Sequence, residues 1–272
     1  MDSILQYEFF RNALYGVTII SIAAAVIGTY IVTRRLVAIS GGITHACFGG
    51  LGLGYFLGVS PVLTAAVFAI GSSVGVEWLS RNQRMREDSA IAVIWALGMA
   101  VGIIFVFLTP GYVPELNVFL FGNVLTISNG DLWAFAVFTA VLLLFVGVFY
   151  KQILAYSFDR DFASVMHVPV RFIGYAMTVL VAVCIVLTIR LVGIMLLMSM
   201  LALPQIIAET FCKRYPTLMA GSVVVSLLCC VGGLFLSACI NVPCSALIVV
   251  IMVAAYIVAS LVRSFRSSRI NR

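Results

Sequence analysis

The chain has 272 residues, of which 63% are hydrophobic and 10% are charged, and its formal net charge at pH 7 is +6. A water-soluble domain has about 25% charged residues, so this composition excludes an ordinary soluble protein. The positive charge is typical of basic loops beside anionic membrane lipid, and we expect lipid contact and no nucleic-acid partner. Because apolar runs occupy most of the length, we expect a single transmembrane domain over residues 1–272.

Apolar runs long enough to cross a bilayer recur along the chain. A hydrocarbon core about 30 Å thick requires about 20 apolar residues in a helix. The sequence therefore predicts an all-α fold, a polytopic transmembrane helical bundle with eight or nine spans, the count being eight if 41–58 or 109–130 is re-entrant. Asp2 and Glu8 precede the first run and no basic segment does, which favours a retained span over a cleaved signal peptide. The nine predicted spans are 10–32, 41–58, 62–80, 90–108, 131–150, 172–189, 192–212, 217–239 and 244–262.

The Lys and Arg residues predict the orientation of these spans. Fourteen of the sixteen fall in alternate gaps between the apolar runs, and only Arg11 and Arg190 fall in the other gaps. Short loops rich in Lys and Arg stay on the cytoplasmic side of a membrane. We therefore expect a cytoplasmic C-terminus, an outer N-terminus and an outward gap at 109–130. The basic gaps contain Arg34, Arg35, Arg81, Arg84, Arg86, Lys151, Arg160, Arg171, Lys213, Arg214, Arg263, Arg266, Arg269 and Arg272.

The second predicted span, 41–58, contains one histidine among many glycines. Gly41, His45 and Gly49 are four residues apart and share one helix face, and small residues let neighbouring backbones approach closely. An ionisable side chain inside a membrane usually faces a cavity or a partner, and imidazole is a common metal ligand. His45 is therefore a candidate metal ligand, and the alternative is a histidine bonded to a backbone carbonyl in a packed bundle. Similar small-residue spacing occurs at Gly71/Gly75 and Gly98/Gly102.

Two glutamates, Glu77 and Glu209, lie near the inner ends of predicted spans three and seven. Basic residues are close to both in the sequence, so we expect ion pairs rather than metal ligation. The expected partners are Arg81, Arg84 and Lys213.

The basic gap at 151–171 has the pattern of a short amphipathic helix. Asp159 suits a helix N-cap, and Asp161 suits the first turn because it complements the helix dipole. Such a helix would lie on lipid or dock into a groove of a partner, and its mixed charges argue against a simple lipid anchor. Its apolar side is formed by Phe158, Phe162, Val165 and Met166.

The outward segment 115–131 is too apolar to remain in water, and Gly122 interrupts it. We expect this segment to fold back into the bundle as a short helix. It is therefore a candidate gate.

Motifs of a self-contained enzyme are absent from the sequence. Lys151 and Lys213 are the only lysines and neither follows a glycine, so no GxxxxGK[ST] phosphate loop exists. The sequence has no HExxH motif, and it lacks the paired intramembrane carboxylates of a membrane protease. We therefore do not expect the chain itself to be an enzyme.

Five segments resemble, in order and at suitable spacing, the membrane permeases of zinc, manganese and iron ATP-binding-cassette importers. The first contains the Thr44-His45-Ala46 motif. The similarity extends over nearly the whole chain. The segments are Gly41–Gly58, Arg84–Ile91, Leu120–Leu125, Phe158–Ala163, and Val192–Leu197 with the following Leu203-Pro204.

This resemblance implies the permease subunit of a divalent-metal importer in the bacterial plasma (inner) membrane, with ATP hydrolysis in a separate chain. It implies a permease homodimer, two ATP-binding-cassette ATPase subunits and an extracytoplasmic metal-binding protein. The divalent metal ion is then a transported substrate, and no stably bound cofactor is implied. Residues 159–168 become a coupling helix that enters an ATPase groove. The implied coupling residues are Asp159, Arg160, Asp161, Phe162, Ala163, Val165 and Met166.

His45 is the one metal contact that the resemblance implies for this chain. Many family members have an Asp four residues before this His, and Gly41 occupies that position here. Passage of the ion near His45 would then rely on weak contacts, which suits a pathway that must release its ion.

Two other functions remain open from the sequence. A permease for cobalamin or iron chelates would need a longer chain with more spans. An ATPase-independent, ion-coupled transporter would need carboxylates in the middle of spans, where intramembrane ionisable groups mark ion pathways. Neither feature is present in the sequence.

Overall fold

A computed structural model describes residues 6–83, 85–110, 122 and 124–270, and these residues form helices joined by short connections, without a β-strand. A 3₁₀ turn at Val124–Thr126 precedes the fifth helix. The helices are α1 (Glu8–Thr33), α2 (Val37–Leu57), α3 (Pro61–Asn82), α4 (Glu87–Leu108), α5 (Asn129–Val148), α6 (Tyr150–Phe158), α7 (Arg160–Val165), α8 (Val170–Met200), α9 (Leu203–Glu209), α10 (Tyr215–Ile240) and α11 (Cys244–Ile270).

Nine helical segments of the described residues are long and apolar enough to cross a membrane, which confirms the larger predicted number. The glycine-rich segment 41–58 lies in one such segment, Val37–Leu57, with a mean hydropathy of 1.3. The predicted all-α polytopic bundle is therefore confirmed. Of the outward segment 115–131, residues 115–121 and 123 lie outside the described residues, so its proposed gate stays a prediction.

Local signals set several helix ends. Gly58 adopts a left-handed conformation (φ 67°) after α2, and its N–H donates to carbonyls of the last turn. Glycine reaches this conformation without the steric cost of a Cβ. Pro61 begins α3, where a missing N–H costs nothing and the fixed φ suits a helix. These two residues produce a turn of three residues between two spans.

The span Leu191–Glu209 is interrupted twice. Gly193 has a non-helical backbone (φ 75°, ψ 171°), and Ala202 lies between the end of α8 and the start of α9. Gln205 is completely buried, and its Nε2 lies 3.3 Å from the carbonyl oxygens of Ala25 and Met200. The Gln205 amide thus donates across the break to the end of α8 and also to α1, which ties α9 to both helices.

The described contacts divide into two compact units. The first comprises Met1–Val32, Phe119–Leu143 and Leu191–Arg272, and the second comprises Thr33–Val118 and Leu144–Arg190. The first unit holds α9, α10 and α11, and the second holds α2, α3 and α4 with the short helices α6 and α7. The expectation of one domain over 1–272 stays a prediction.

Glycines bring α2 and α4 of the second unit into backbone contact. A Cβ on Gly98 would lie 2.5 Å from Cα of Ala46, and a Cβ on Gly102 would lie 2.5 Å from the carbonyl oxygen of Phe48. Only glycine leaves room for such an approach, which confirms the packing expected for this pair. Within the described part of the chain the same expectation is wrong at Gly71, where a Cβ would meet no described atom within 4 Å.

Candidate functional site

His45 lies on the middle of α2, where its ring is partly buried against α4. The imidazole stacks on the indole of Trp95, with ring centroids 4.8 Å apart and planes 1° apart. Phe48, one turn further along α2, has its ring centroid 6.0 Å from that of the imidazole. Aromatic packing therefore holds the ring of His45 and leaves its edge nitrogens for polar contact.

The Nδ1 atom of His45 is buried and has no hydrogen-bond partner among the described residues. The hydroxyl of the preceding Thr44 is also buried without a partner. Leaving a buried polar group unpaired costs about 1–3 kcal/mol, so such groups usually meet water or a ligand. Among the described residues, Nδ1 thus makes no bond to a backbone carbonyl of the kind that the alternative for this histidine proposed.

Gly41 lies one helical turn before His45 and is buried within α2. The position therefore offers no side-chain oxygen ligand beside the imidazole. No group of three or more His, Cys, Asp and Glu side chains gathers into a metal site within the ranges that the structure covers.

The short helix α7 begins as its sequence predicts. The Asp159 carboxylate accepts hydrogen bonds from the N–H groups of Asp161 and Phe162, both at 2.9 Å. Two otherwise unpaired donors of the first turn are thereby satisfied. The helix ends at Val165, before Pro169, because His167 turns left-handed (φ 58°). The helix is therefore shorter than the predicted segment 159–168.

The two sides of α7 differ in burial. Ala163 is completely buried against the rest of its unit. The apolar residues at helical spacing point outwards, with Val165 74% exposed and Phe158 71% exposed, and Phe162 and Met166 are exposed too. The short helix, fixed at its cap and at Ala163, and the residues that flank it thus present an apolar surface, which we call the α7 surface. It consists of Phe158, Phe162, Val165 and Met166.

Next to this helix lies a polar group made by α3, α6 and the start of α8, which we call the Arg81 cluster. Arg81 Nε donates to Glu77 Oε1 at 2.5 Å, and Arg81 Nη2 donates to the Val170 carbonyl at 2.8 Å. The Tyr156 hydroxyl lies 3.4 Å from Glu77 Oε1, and burial raises the pKa of this phenol. The predicted pairing of Glu77 with Arg81 is confirmed. Gly174 leaves the space that the cluster occupies.

Sequence reasoning missed Trp95 and Tyr156 as neighbours of the candidate site residues. Trp95 lies fifty residues from His45, and Tyr156 lies seventy-five residues from Arg81. The only sequence signal that these two residues could lie at a polar site was their chemistry, since tryptophan and tyrosine combine an apolar body with a polar tip.

Comparison with known proteins agrees with this architecture. The profile of the ABC 3 transport family matches residues 6–263. An uncharacterised membrane protein of Synechocystis sp. is 35% identical over 259 residues, covering 95% of this chain and 92% of its own length. The manganese transport system membrane protein MntC of Halalkalibacterium halodurans is 29% identical, covering 92% of this chain and 86% of its own length.

A solved structure is similar as well. PsaBC of Streptococcus pneumoniae, determined in complex with a Fab, superposes with a TM-score of 0.81 at 27% identity, covering 95% of this chain and 93% of that chain. The resemblance noted in the sequence and the nine apolar helices therefore agree with independent matches over almost the full length. The chain is a multi-pass bacterial inner-membrane protein and belongs to the ABC 3 transport family.

Proposed function

We propose that this chain is the permease subunit of an ATP-binding-cassette importer that moves a divalent metal ion, manganese, zinc or iron, into the cell. The observation that carries the proposal is the α7 surface, an exposed apolar face on a short capped helix between two spans. An ATPase subunit with a matching groove would cover this face and use it as a lever. The permease itself performs no ATP chemistry.

The charge around α7 favours a protein partner over lipid. Asp159, Arg160 and Asp161 alternate in sign at the start of the helix. A helix that lies on anionic lipid is rich in Lys and Arg on its polar side, whereas the single Arg160 of this helix stands between two aspartates. The relative named as a manganese transport system membrane protein supports the same assignment.

In this proposal His45 contacts the ion in transit. Its unpaired Nδ1 is the atom that would do so, since a neutral imidazole nitrogen is a common metal ligand and suits zinc and iron. A single nitrogen without the carboxylate at position 41 holds an ion only weakly. Weak binding suits transport, because a conduit must release its ion.

The remaining partners follow from the same proposal. Two permease chains would form a homodimer with two ATPase subunits inside and a metal-binding protein outside. The loops rich in Lys and Arg, α7 and the C-terminus would then face the cytoplasm beside anionic lipid.

The test is metal uptake by proteoliposomes that contain this chain and its ATPase. We expect ATP-dependent uptake of radioactive Mn²⁺, Zn²⁺ or Fe²⁺ that stops when the ATPase active site is inactivated. Uptake against a gradient with an inactive ATPase would contradict the proposal, because an ion-coupled transporter would then be at work.

The α7 surface is tested by two substitutions at one exposed position. Phe162→Asp places a charge in the proposed groove, so we expect loss of ATPase copurification and of uptake. Phe162→Leu keeps an apolar side chain and serves as the matched control, with both properties retained. His45→Ala is expected to lower uptake while the ATPase remains bound.

A further inference from the structure

Glu87, the first residue of α4, lies between two arginines from different parts of the second unit. Arg34 Nη2 donates to Glu87 Oε1 at 2.6 Å, and Arg160 Nη1 lies 3.9 Å from the same oxygen. Arg34 precedes α2, and Arg160 is the first residue of α7. One carboxylate therefore connects the short helix to the starts of two spans.

The two contacts of Glu87 differ in tightness. The contact with Arg34 is a short charge-assisted hydrogen bond, and the Arg34 side chain is only 9% exposed. The Arg34 guanidinium also lies over the ring of Tyr156, 4.5 Å from the ring centroid. The contact with Arg160 is longer and more exposed, so it can break and re-form at smaller cost. Arg34 and Glu87 thus form a fixed pair, and Arg160 is a movable neighbour.

The helices joined by Arg34 and Glu87 also carry the stacked pair at the candidate metal site. His45 lies eight residues after the start of α2, and Trp95 lies eight residues after the start of α4. At 1.5 Å per residue both rings are about 12 Å along their helices from the helix starts, where the charged pair lies. Further along the two helices than these rings, the backbone contacts at Gly98 and Gly102 join α2 to α4. The two helices therefore form a stiff pair, held by charges at one end and by glycine contacts further along.

We infer that Glu87 is a positioning residue that transmits movement of α7 to the α2–α4 pair and so to His45 and Trp95. When the ATPase displaces α7, the Arg160–Glu87 contact forms or breaks, and the changed force on the Glu87 carboxylate shifts the starts of α2 and α4, which the Arg34–Glu87 pair holds together. The inference rests on the proposed function, because α7 is the lever only in a permease driven by an ATPase. A contiguous contact alone does not establish coupling, so the test measures the coupling itself.

The experiment uses the full permease–ATPase complex in proteoliposomes and measures Mn²⁺ taken up per ATP hydrolysed. Glu87→Gln removes the charge and keeps the side-chain size, and Asp88→Asn makes the same change at the neighbouring exposed residue as a matched control. We expect Glu87→Gln to hydrolyse ATP as the wild type does, with uptake per ATP lower by about fivefold, and Asp88→Asn to match the wild type. Arg160→Gln should lower uptake per ATP, and the double variant should be no worse than Glu87→Gln, because contacting residues are not additive.

Each other outcome has a definite meaning. Unchanged uptake per ATP in Glu87→Gln, or additive losses in the double variant, would overturn the inference while the proposed function stands. Loss of ATPase copurification in Glu87→Gln would also overturn it, since the residue would then act in docking. A purely structural role would lower thermal stability and leave uptake per ATP intact, and this result too would refute transmission. Wild-type complex without ATP-dependent uptake would refute the proposed function itself.

Discussion

Gly98 of α4 lies against the backbone of α2 at Ala46, next to the candidate metal ligand His45. A Cβ at position 98 would lie 2.5 Å from Ala46 Cα and 2.9 Å from both Ala46 Cβ and the Ala46 carbonyl oxygen. Ordinary contacts between carbon atoms are about 3.5–4.0 Å, so Gly98→Ala requires the two helices to separate by about 1 Å. Backbone atoms cannot rotate away as a flexible side chain can, and the strain must move a whole helix.

The size of the effect follows from two opposing terms. Overpacking costs about 1–3 kcal/mol, and a contact with backbone belongs at the upper end of this range. Replacing a helical glycine by alanine gains about 1 kcal/mol from helix propensity. We therefore expect Gly98→Ala to lower the free energy of unfolding by about 2 kcal/mol, which corresponds to an equilibrium constant for unfolding that is roughly 30-fold larger.

Gly71→Ala is the matched control, because a Cβ there would meet none of the atoms that the structure describes within 4 Å. This variant keeps the propensity gain without the clash, so the two variants should differ by about 3 kcal/mol. Thermal unfolding of the purified protein would place Gly98→Ala about 6–12 °C below Gly71→Ala. Metal uptake should also fall in Gly98→Ala, because separating α2 from α4 disturbs the stacking of His45 on Trp95. Equal thermal stability of the two variants would refute the close α2–α4 contact.

Three further substitutions test other parts of the molecule. Gly174→Ala would place a methyl group 2.5 Å from Arg81 Nη2, so we expect the Arg81 cluster to break. The free energy of unfolding should fall by about 1–3 kcal/mol in the same thermal assay. Unaltered stability would contradict the geometry of this cluster. Asp159→Ala removes the two capping hydrogen bonds of α7 at a cost of about 0.5–2 kcal/mol. The affinity for purified ATPase should therefore decrease. An unchanged dissociation constant would show that the cap is not needed for ATPase binding. Gly41→Asp introduces a carboxylate one turn before His45, and carboxylates are ligands that suit manganese. Calorimetric titration with Mn²⁺ should therefore detect tighter binding, and equal affinity would indicate that the two side chains do not share an ion.

Much of the fold could be predicted because its signals are local. The length of an apolar run decides whether a helix can cross the membrane, and nine predicted runs correspond to nine spanning segments in the described part of the chain. The cap at Asp159 was predictable for the same reason, since it joins a side chain to N–H groups two and three residues away. The Glu77–Arg81 pair is also local, because residues four apart on a helix are neighbours.

The candidate site depended on contacts that the sequence does not encode locally. His45 was visible as a single ionisable residue among glycines, and its partner Trp95 was not, because any of several apolar spans offered an aromatic surface. The same small-residue spacing occurs at Gly71 and Gly98, and only Gly98 meets another backbone. The spacing of small residues shows that one helix face has small side chains, and it does not show which element packs against that face.

The amino-acid sequence by itself determined which segments cross the membrane, where a short capped helix stands between two of them, and which histidine is available inside a span. Tertiary structure alone decided that α2 lies against α4, that one carboxylate lies between Arg34 and Arg160, and that Nδ1 of His45 has no partner among the described residues. The physical reason is that the length of an apolar run and the capping of a helix depend only on residues within or next to that helix. The choice of neighbouring helix depends on the fit of surfaces that are all similarly apolar, and only packing of the whole chain resolves it.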